Sequence, residues 1–362
     1  HIVEYASERG ITVVPEFELP GHATPLIEAY PTLRCSTPDE EPSDWSVCLG
    51  TDAVYELLDD IAAELAERFE TATVHLGTDE WEFDTSWDDC SACERRRDAE
   101  GLSSERELFY DFLRRAAAVL DDHDIRPVVW NEQIDISASP PIPRDILVQF
   151  WVIRPEENES GPTAGNSLER FLEEGFEIVN SFQPATYVDR HISESALLGW
   201  NPGRYPTVPD KYDERVSGGE LLAWSGWETD QWESYYRRTL PSAIPAFADR
   251  VWNGAPIEDR EEFARGVGRH VFGPEMDDPK AVYDELGGLV LPVENDTYAR
   301  VFESLDGRPV PEAKADYEAT IERIEAHVED GTVRFPNAAA AYVECLEWLL
   351  EQVDEVGRGV SG

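Results

Sequence analysis

Two adjacent carboxylates, Asp79 and Glu80, directly follow a short apolar segment and form the pattern in this sequence that best fits chemistry. The segment 72–76 predicts a buried strand, and Gly77 ends it, so both acids can turn towards one cleft. Loops at the carboxyl ends of the strands of α/β barrels hold catalytic side chains. The alternative is the start of a helix, because acidic residues stabilise a first turn.

The spacing of these two acids limits the reaction that they could support. In retaining glycosidases the two catalytic carboxyl groups face the sugar from opposite sides, about 5–5.5 Å apart, and neighbours in sequence suit that geometry poorly. Neighbours suit a division of labour in which one acid protonates the leaving oxygen and the other holds a substrate group that itself acts as the nucleophile. Such substrate-assisted hydrolysis requires a 2-acetamido sugar.

The pattern along the chain predicts alternating strands and helices. The predicted strands cover residues 11–14, 72–76, 126–130, 146–150, 177–180 and 219–224, and the main predicted helices cover 53–69, 104–122, 167–174 and 239–252. This order implies a parallel sheet with crossover connections. Because polar side chains follow every strand, an α/β fold of the (β/α)8 TIM-barrel type is favoured over a doubly wound sheet, which would bind its ligand at one switch point.

The number of strands predicts an incomplete barrel with a helical appendage. Six predicted strands are two short of eight, and the start at His1 places the loss at the N-terminus, which leaves strands 3 to 8. Residues 1–255 are the predicted catalytic barrel. Residues 256–362 are a mainly helical extension with helices at 311–329 and 337–356. No apolar stretch of 18 residues and no signal peptide is visible, so we expect no membrane span and a cytoplasmic or secreted location.

The charge of the chain excludes several classes of protein. The formal net charge is −46 at pH 7, from 76 acidic and 30 basic residues, and only three of the basic residues are lysines. A disordered acidic protein would lack aromatic residues, whereas this chain has 11 Trp, 13 Tyr and 14 Phe. The dispersed acidic charge indicates a halophile, because a surface for a cationic partner would concentrate the charge in blocks. Nucleic-acid binding is disfavoured, since phosphates require a basic patch.

The five cysteines suggest no complete metal site. Cys90 and Cys93 have the spacing of half a zinc site, but no second half is recognisable, so a local disulfide or two free thiols are favoured. Cys35 and Cys48 bracket an acidic, proline-containing loop and could pair with each other. The odd count, completed by Cys345, leaves at least one thiol free. No metal, nucleotide or flavin cofactor is expected.

Several motifs together resemble those of a known family. The pattern His75-x-Gly77-x-Asp79-Glu80 resembles the signature of glycoside hydrolase family 20, the β-N-acetylhexosaminidases. The segment 14–22, which ends in Pro-Gly-His, resembles the preceding strand motif of that family. Later strand ends follow in the family's order, at Trp130-Asn131-Glu132, Phe150-Trp151, Tyr187-Val188-Asp189 and Trp224-Ser225. The resemblance covers about residues 1–255 and implies an exo-acting enzyme that removes terminal N-acetylglucosamine or N-acetylgalactosamine.

The resemblance implies a role for each matching residue. Glu80 would be the general acid and then the base, Asp79 would hold the acetamido N–H, and Tyr187 would donate to the acetamido oxygen. The remaining matches would bind substrate or orient the acids: Trp130, Trp151 and Trp224 as walls of the acetamido pocket, Asp189 at sugar hydroxyls, Trp200 under the leaving sugar, and His22 and His75 behind the acids. The only implied partner is a 2-acetamido sugar substrate, and an oligomer is compatible with the sequence.

The sequence departs from the family pattern at three points. The family's first strand carries an arginine that binds sugar hydroxyls, and that strand is absent here. The family has a glutamate after Trp-Ser or Trp-Thr on the last strand, whereas this chain has Gly226, which leaves Glu228 as the candidate substitute. Glu18 stands where the family has aspartate. These departures bear on the substrate more than on the reaction.

Two other functions remain open from the sequence. Asn131-Glu132 resembles the acid/base pair of two-carboxylate β-glycosidases, in which Glu132 would be the proton donor. That mechanism needs a nucleophilic glutamate at a later strand end, and residues 179–182 offer none. A non-catalytic relative that binds amino sugars is suggested by the missing strands and by Gly226, while the intact Asp79, Glu80 and Tyr187 argue against it.

Overall fold

The computed structural model describes the greater part of the chain in two compact units. The described residues are 1–36, 43–69, 71–81, 87–136, 140–152, 167–187, 199–203, 214–224, 243–254, 259–273 and 310–359. The first unit comprises residues 1–180 and 207–217, and the second comprises 181–206 and 218–362. The division predicted at residue 255 was based on where the alternation of strands and helices ends along the chain, and it stays a prediction.

A parallel sheet organises the first unit. Its strands are β1 (Thr73–His75), β2 (Arg126–Trp130), β3 (Leu147–Phe150), β4 (Glu177–Asn180) and β5 (Val216–Gly219), which lie side by side in chain order. The pairs β1–β2, β2–β3 and β3–β4 are all parallel. The predicted strands 72–76, 126–130, 146–150 and 177–180 are therefore confirmed. The parallel order brings the carboxyl ends of these strands, and the polar residues after them, to one edge.

An extended segment before the first helix–strand unit runs beside β1. Glu16 pairs with His75 in parallel, the Phe17 N–H donates to the His75 carbonyl at 2.8 Å, and the Leu19 N–H donates to Leu76 at 2.9 Å. The strand predicted at 11–14 is wrong in position. Ile11 and Val14 are 58% and 47% exposed, because pairing with β1 begins only after them.

Six α-helices accompany this sheet in the described part of the first unit. They are α1 (Ile2–Ser7), α2 (Thr24–Ala29), α3 (Asp52–Phe69), α4 (Ser91–Glu100), α5 (Glu105–Asp121) and α6 (Leu168–Glu173). Helix α5 packs against α3 and β2, and it begins where Ser104 Oγ accepts the Glu107 N–H at 3.2 Å. The Glu107 carboxylate accepts the Ser103 N–H in return, which forms a reciprocal cap. The short helix α4 was not predicted from the sequence.

The second unit is mainly helical. It contains α7 (Gln183–Thr186), α8 (residues 243–253), α9 (Arg260–Phe272), α10 (Val310–Glu329) and α11 (Pro336–Gly359). The last two confirm the helices predicted at 311–329 and 337–356, and Tyr317, Tyr342 and Leu346 lie in the core between them and α9. In place of the strand predicted at 219–224, a single parallel bridge joins Tyr187 to Leu222. None of the helices that the structure describes is long and apolar enough to cross a bilayer.

Candidate active site

The loop after β1 holds its two acids through an uncommon backbone conformation. Gly77, Thr78 and Glu80 have φ angles of 66°, 80° and 48°, in the left-handed region that non-glycine residues rarely adopt. Such angles cost on the order of 1–3 kcal/mol each and are retained where the surrounding structure imposes them. The result is that Asp79 and Glu80 turn towards the same imidazole.

That imidazole belongs to His22, from the Pro-Gly-His segment. Its Nε2 lies 3.3 Å from Asp79 Oδ2 and 3.6 Å from Glu80 Oε2. The Asp79 carboxylate, followed by that of Glu80, raises the pKa of His22 to about 10 against the opposing effect of burial. His22 is therefore protonated at neutral pH, and its ring lies against Trp45 with the ring centroids 4.2 Å apart.

The backbone of the acid loop is fixed from the Pro-Gly-His side. A Cβ on Gly21 would lie 3.1 Å from the Asp79 carbonyl oxygen and 3.0 Å from the Cα of Trp81, so a larger residue here would have to push the acid loop away by a few tenths of an ångström. The indole N–H of Trp45 donates to the Glu80 carbonyl at 3.0 Å, and Ser46 Oγ donates to the Trp81 carbonyl at 3.0 Å. The backbone is therefore held at the carbonyl of the second acid and at that of the residue after it.

Glu132, after β2, supports the loop from the other side. Its side chain is fully buried. Its Oε1 accepts the Glu80 N–H at 3.2 Å, and its Oε2 accepts the indole N–H of Trp151 at 2.5 Å. The neighbouring Asn131 accepts the Trp151 N–H at 2.8 Å. The alternative in which Glu132 is the acid/base of a two-carboxylate glycosidase is not supported, because both of its oxygens are engaged and neither faces solvent.

Two of the predicted pocket tryptophans meet at a right angle. The rings of Trp130 and Trp151 have centroids 6.5 Å apart and planes inclined at 79°. Trp130 is 2% exposed, and its indole N–H donates to Glu16 Oε1 at 3.2 Å. Trp151 is half-buried and is held by Glu132. Of the two, Trp151 has the surface on which a substrate group could rest.

His75 and a pair of glutamates lie beneath the acid loop. The Gly77 N–H donates to His75 Nδ1 at 2.9 Å, and Glu16 Oε1 is 3.0 Å from the same nitrogen. Burial, aided by the charges of Asp79 and Glu16, raises the pKa of Glu18 to about 10, so this carboxyl keeps its proton. Burial also acts to raise the pKa of Glu16, but the contact with His75, together with hydrogen bonds from Glu18 and Trp130, lowers that pKa overall. His75 is buried and acts on the loop rather than on solvent.

The role of this glutamate pair was not predicted from the sequence. Glu16 and Glu18 are two residues apart in an extended segment, so their side chains point to the same face. That face is the underside of Gly77, where an added Cβ would overlap Glu18 Oε2. The alternation of acids in the Glu-Phe-Glu sequence could have indicated that both carboxyl groups lie on one face. Glutamate in place of the family's aspartate therefore fits the cleft left by Gly77.

The second unit carries three of the predicted substrate residues. Tyr187 is buried, and its ring centroid lies 6.4 Å from that of Trp224, which is 38% exposed. Trp200 is 1% exposed, its ring is stacked on Phe247, and its carbonyl accepts from Arg250 Nε at 2.7 Å. Burial and the stacking on Phe247 leave little of the Trp200 ring accessible in this structure, and its place under the leaving sugar stays a prediction. The predicted Asp189 and Glu228 lie outside the described residues.

Among the residues that the structure describes, two groups of side chains have the composition of metal ligands. Oxygen and nitrogen atoms of His22, Asp79 and Glu80 lie within 4.8 Å of one another. In this structure the two carboxylates face the positively charged His22 ring. The second group consists of four buried cysteines and lies apart from the acids in sequence.

Comparisons with known proteins identify the family. A profile described as "Glycosyl hydrolase family 20, catalytic domain" matches residues 1–255. The beta-hexosaminidase of Porphyromonas gingivalis is 39% identical over 304 residues, which cover 76% of this chain and 37% of that protein. Beta-hexosaminidase 3 of Arabidopsis thaliana is 29% identical over 256 residues, which cover 69% of this chain and 43% of the relative. This chain thus spans less than half the length of either.

A solved structure supports the fold. The beta-N-acetylhexosaminidase from Bacteroides fragilis aligns with a TM-score of 0.62 at 24% sequence identity, over 74% of this chain and 54% of the other. The fold class is the α/β barrel type predicted from the sequence, of which the described strands form a part. With the family profile covering most of the chain and the acid motif in place, the chain belongs to glycoside hydrolase family 20.

Proposed function

We propose that the protein is a retaining exo-glycosidase that removes terminal N-acetylglucosamine or N-acetylgalactosamine from β-glycosides by substrate-assisted catalysis. Asp79 carries this proposal. Its Oδ2 faces His22, whereas its Oδ1 is buried and has no hydrogen-bond partner among the described residues. A buried acceptor without a donor costs free energy. An acetamido N–H would supply that donor, and the names of the relatives above agree with this substrate class.

The first chemical step needs a proton donor and an internal nucleophile. Glu80, whose side chain is 35% exposed, would donate its proton to the glycosidic oxygen as the bond to the sugar breaks. Asp79 would hold the acetamido N–H, so that the carbonyl oxygen of the same group attacks the anomeric carbon and forms a cyclic oxazolinium ion. An oxygen of each acid lies within 4.8 Å of the other, so one bound sugar could meet both acids: Glu80 at the glycosidic oxygen and Asp79 at the acetamido N–H. The acetamido oxygen would then attack the anomeric carbon from the face opposite the leaving group.

The second step reverses the first with water as the nucleophile. Glu80, now ionised, would remove a proton from water, and the resulting attack opens the oxazolinium ring with overall retention of configuration. His22 would supply one positive charge beside the two carboxyl groups throughout, in a partly buried site where charges interact strongly. Asp79 would balance the positive charge of the intermediate through the same contact that oriented the acetamide.

The other predicted residues complete the proposed pocket. Trp151, supported by Trp130, would pack on the acetamido group, since a rigid aromatic surface offers apolar area at low entropic cost. Tyr187 and Trp224 would add a hydroxyl donor and a further wall. Asp189 and Glu228 are retained as candidates for binding the sugar hydroxyls. We further propose residues 1–255 as the catalytic domain and residues 256–362 as a helical extension to it.

One pair of substrates tests the mechanism. An aryl N-acetyl-β-glucosaminide and the matching aryl β-glucoside are incubated with the protein in molar salt. We expect cleavage of the first and little or none of the second, because only the first carries the internal nucleophile. Equal rates on both would refute substrate assistance, and failure on both would favour a non-catalytic binding protein.

Two substitutions separate the roles of the acids. Glu80→Gln is expected to lose most activity on substrates with poor leaving groups and to spare activated aryl glycosides, which need no proton. Asp79→Asn is expected to slow both substrate types, because attack by the acetamido oxygen displaces the leaving group in either case. Full activity of Glu80→Gln on poor leaving groups would overturn the acid/base assignment.

We propose that the protein works in concentrated salt. The support is the net charge of −46 and the scarcity of lysine, because dispersed carboxylates keep a protein hydrated while salt screens their repulsion. The melting temperature should rise with potassium chloride concentration up to the molar range. A melting temperature that is independent of salt would contradict this. Chitin oligosaccharides are the substrates to test first, alongside glycans that end in N-acetylgalactosamine.

A further inference from the structure

Four cysteines from three separate segments meet in the interior of the first unit. Cys35, Cys48, Cys90 and Cys93 are all buried, and their sulfur atoms lie within 4.8 Å of one another. The separations are 3.5 Å between Cys48 and Cys90, 3.6 Å between Cys48 and Cys93, and 3.7 Å between Cys35 and Cys93. The expectation that the Cys90-x-x-Cys93 motif lacks a second half is therefore wrong.

The spacing of the sulfurs matches a tetrahedral metal site. A disulfide requires about 2.05 Å between sulfurs, and none of the four cysteines forms one here. Four thiolates bound tetrahedrally at a Zn–S distance of about 2.3 Å lie about 3.8 Å from each other. The three separations are close to that edge length. The cluster thus has the composition and size of a zinc centre with four cysteine ligands.

The backbone of each segment is arranged to present its sulfur. The Cys48 N–H donates to the Leu33 carbonyl at 2.7 Å, which joins the two loops that carry the first pair. Cys90 is the N-cap of α4, and Cys93 lies in the first turn of that helix. Gly50 rests directly on this turn, since an added Cβ would overlap the Ala92 backbone. The positive end of the helix dipole favours thiolates there.

We propose that Cys35, Cys48, Cys90 and Cys93 bind one structural zinc ion. Four buried thiolates would repel one another, and a soft divalent cation is the partner that such a ligand set selects. Because four protein ligands fill a tetrahedral shell, the site has no open position for substrate or water. Its role is therefore to join the segments around residues 35, 48 and 90 rather than to take part in hydrolysis.

The segment beside the cluster also holds the acid loop. Trp45 and Ser46 donate to the carbonyls of Glu80 and Trp81, and they immediately precede the segment that ends in Cys48. The indole N–H of Trp87 donates to the Val47 carbonyl at 2.8 Å, which ties this segment to the approach of α4. A metal ion that fixes Cys48 against Cys90 would thereby fix the donors to the acid loop.

Metal analysis of the purified protein tests the proposal directly. We expect about one zinc per chain and, after exchange, the intense near-ultraviolet charge-transfer and visible d–d bands of tetrahedral cobalt bound by four thiolates. Thiol titration of the native holoprotein should leave four cysteines unreactive until a chelator removes the metal. Iron in place of zinc, absence of stoichiometric metal, or disulfides found by mass spectrometry would each overturn it.

Variants locate the ligands. Cys48→Ser and Cys90→Ser should lower the zinc content severalfold and the melting temperature by several degrees. Cys345→Ser, a change of the same type in α11, should keep the full zinc content. If the cluster variants do not fold, zinc release from the unaltered protein on titration with a mercurial reagent still decides the question. Release in step with four modified thiols supports the site, and release without thiol modification refutes it.

Discussion

Replacing Glu132 by glutamine would distinguish a positioning glutamate from a catalytic one. The wild-type carboxylate accepts two N–H groups, from the backbone of Glu80 and from the indole of Trp151. A glutamine side chain has one acceptor oxygen, so its amide NH2 must face one of these two donors. One hydrogen bond is lost, and two donors are brought together in a site with no solvent access.

The size of the effect follows from the hydrogen bond that disappears. A bond to a buried charged acceptor contributes about 1.5–3 kcal/mol, so the free energy of unfolding should fall by about that amount. If loss of this hydrogen bond also displaces Glu80 or Trp151 in the transition state, the same free energy is lost from catalysis. At about 1.4 kcal/mol for each tenfold, kcat/KM then falls by about 10- to 150-fold. The loss should be similar for good and poor leaving groups, because the proton donor is still present.

The assay is a leaving-group series of aryl N-acetyl-β-glucosaminides in molar salt. Glu132→Gln, Glu80→Gln and the exposed control Glu56→Gln, which removes the same charge from α3, are compared across the series. We expect a uniform reduction for Glu132→Gln, a reduction confined to poor leaving groups for Glu80→Gln, and no change for the control. A Glu132→Gln profile that spares activated substrates would make Glu132 the acid and refute the assignment of Glu80.

Three further substitutions test the support of the acid loop. Gly77→Ala should destabilise the protein by more than Gly101→Ala, for which ~1 kcal/mol is expected. Both glycines have φ near 70°, but only at Gly77 would a Cβ overlap the Glu18 carboxyl group and force it to move. Guanidinium denaturation compares the two variants. Glu18 retains its proton in the folded state up to a pKa of about 10 while the unfolded carboxyl ionises near 4.5, so stability should fall with rising pH across that range. Glu18→Gln should flatten this decline in melting temperature, and an unchanged slope would contradict the assignment. The pKa of His22 is also raised, from 6.5 to about 10, so its contribution to folding stability is complete below about pH 6.5 and is lost as the pH rises through about 10. The difference in melting temperature between wild type and His22→Gln should therefore shrink over that interval.

The elements that the sequence predicts well are those with strong apolar periodicity. Helices α3 and α5 begin and end within a residue or two of the predicted bounds, because each places an apolar stripe on the core. Helix α4 has one buried residue, Cys93, and most of its other residues are charged, so it has no apolar periodicity to detect. The run 11–14 has the composition of a buried strand, yet tertiary pairing selects the residues that follow it, which include two glutamates.

The same distinction applies to the candidate site: residues in short motifs could be predicted, whereas residues that only the fold brings together could not. The acids and His22 were predictable because short motifs keep them next to glycines that the backbone requires. The role of Glu132 was not, because the sequence places it after another strand, 52 residues from the Glu80 N–H that it accepts. The four cysteines were missed for a similar reason. A motif search needs ligands at fixed spacing, whereas a fold joins loops whose separation in sequence is arbitrary.

The backbone strain of the acid loop explains why so many partners surround it. Among the described residues, four non-glycine positions have positive φ, and three of them, His22, Thr78 and Glu80, are at the acid site. The fourth, Asp124, lies in a turn after α5, where aspartate tolerates this conformation. Strain of on the order of 1–3 kcal/mol at each position would relax if the loop were held by its own residues alone. Contacts from the Pro-Gly-His segment, from the segment before Cys48 and from the end of β2 oppose that relaxation. Because these contacts come from three separate parts of the chain, loss of any one should impair catalysis before it unfolds the protein.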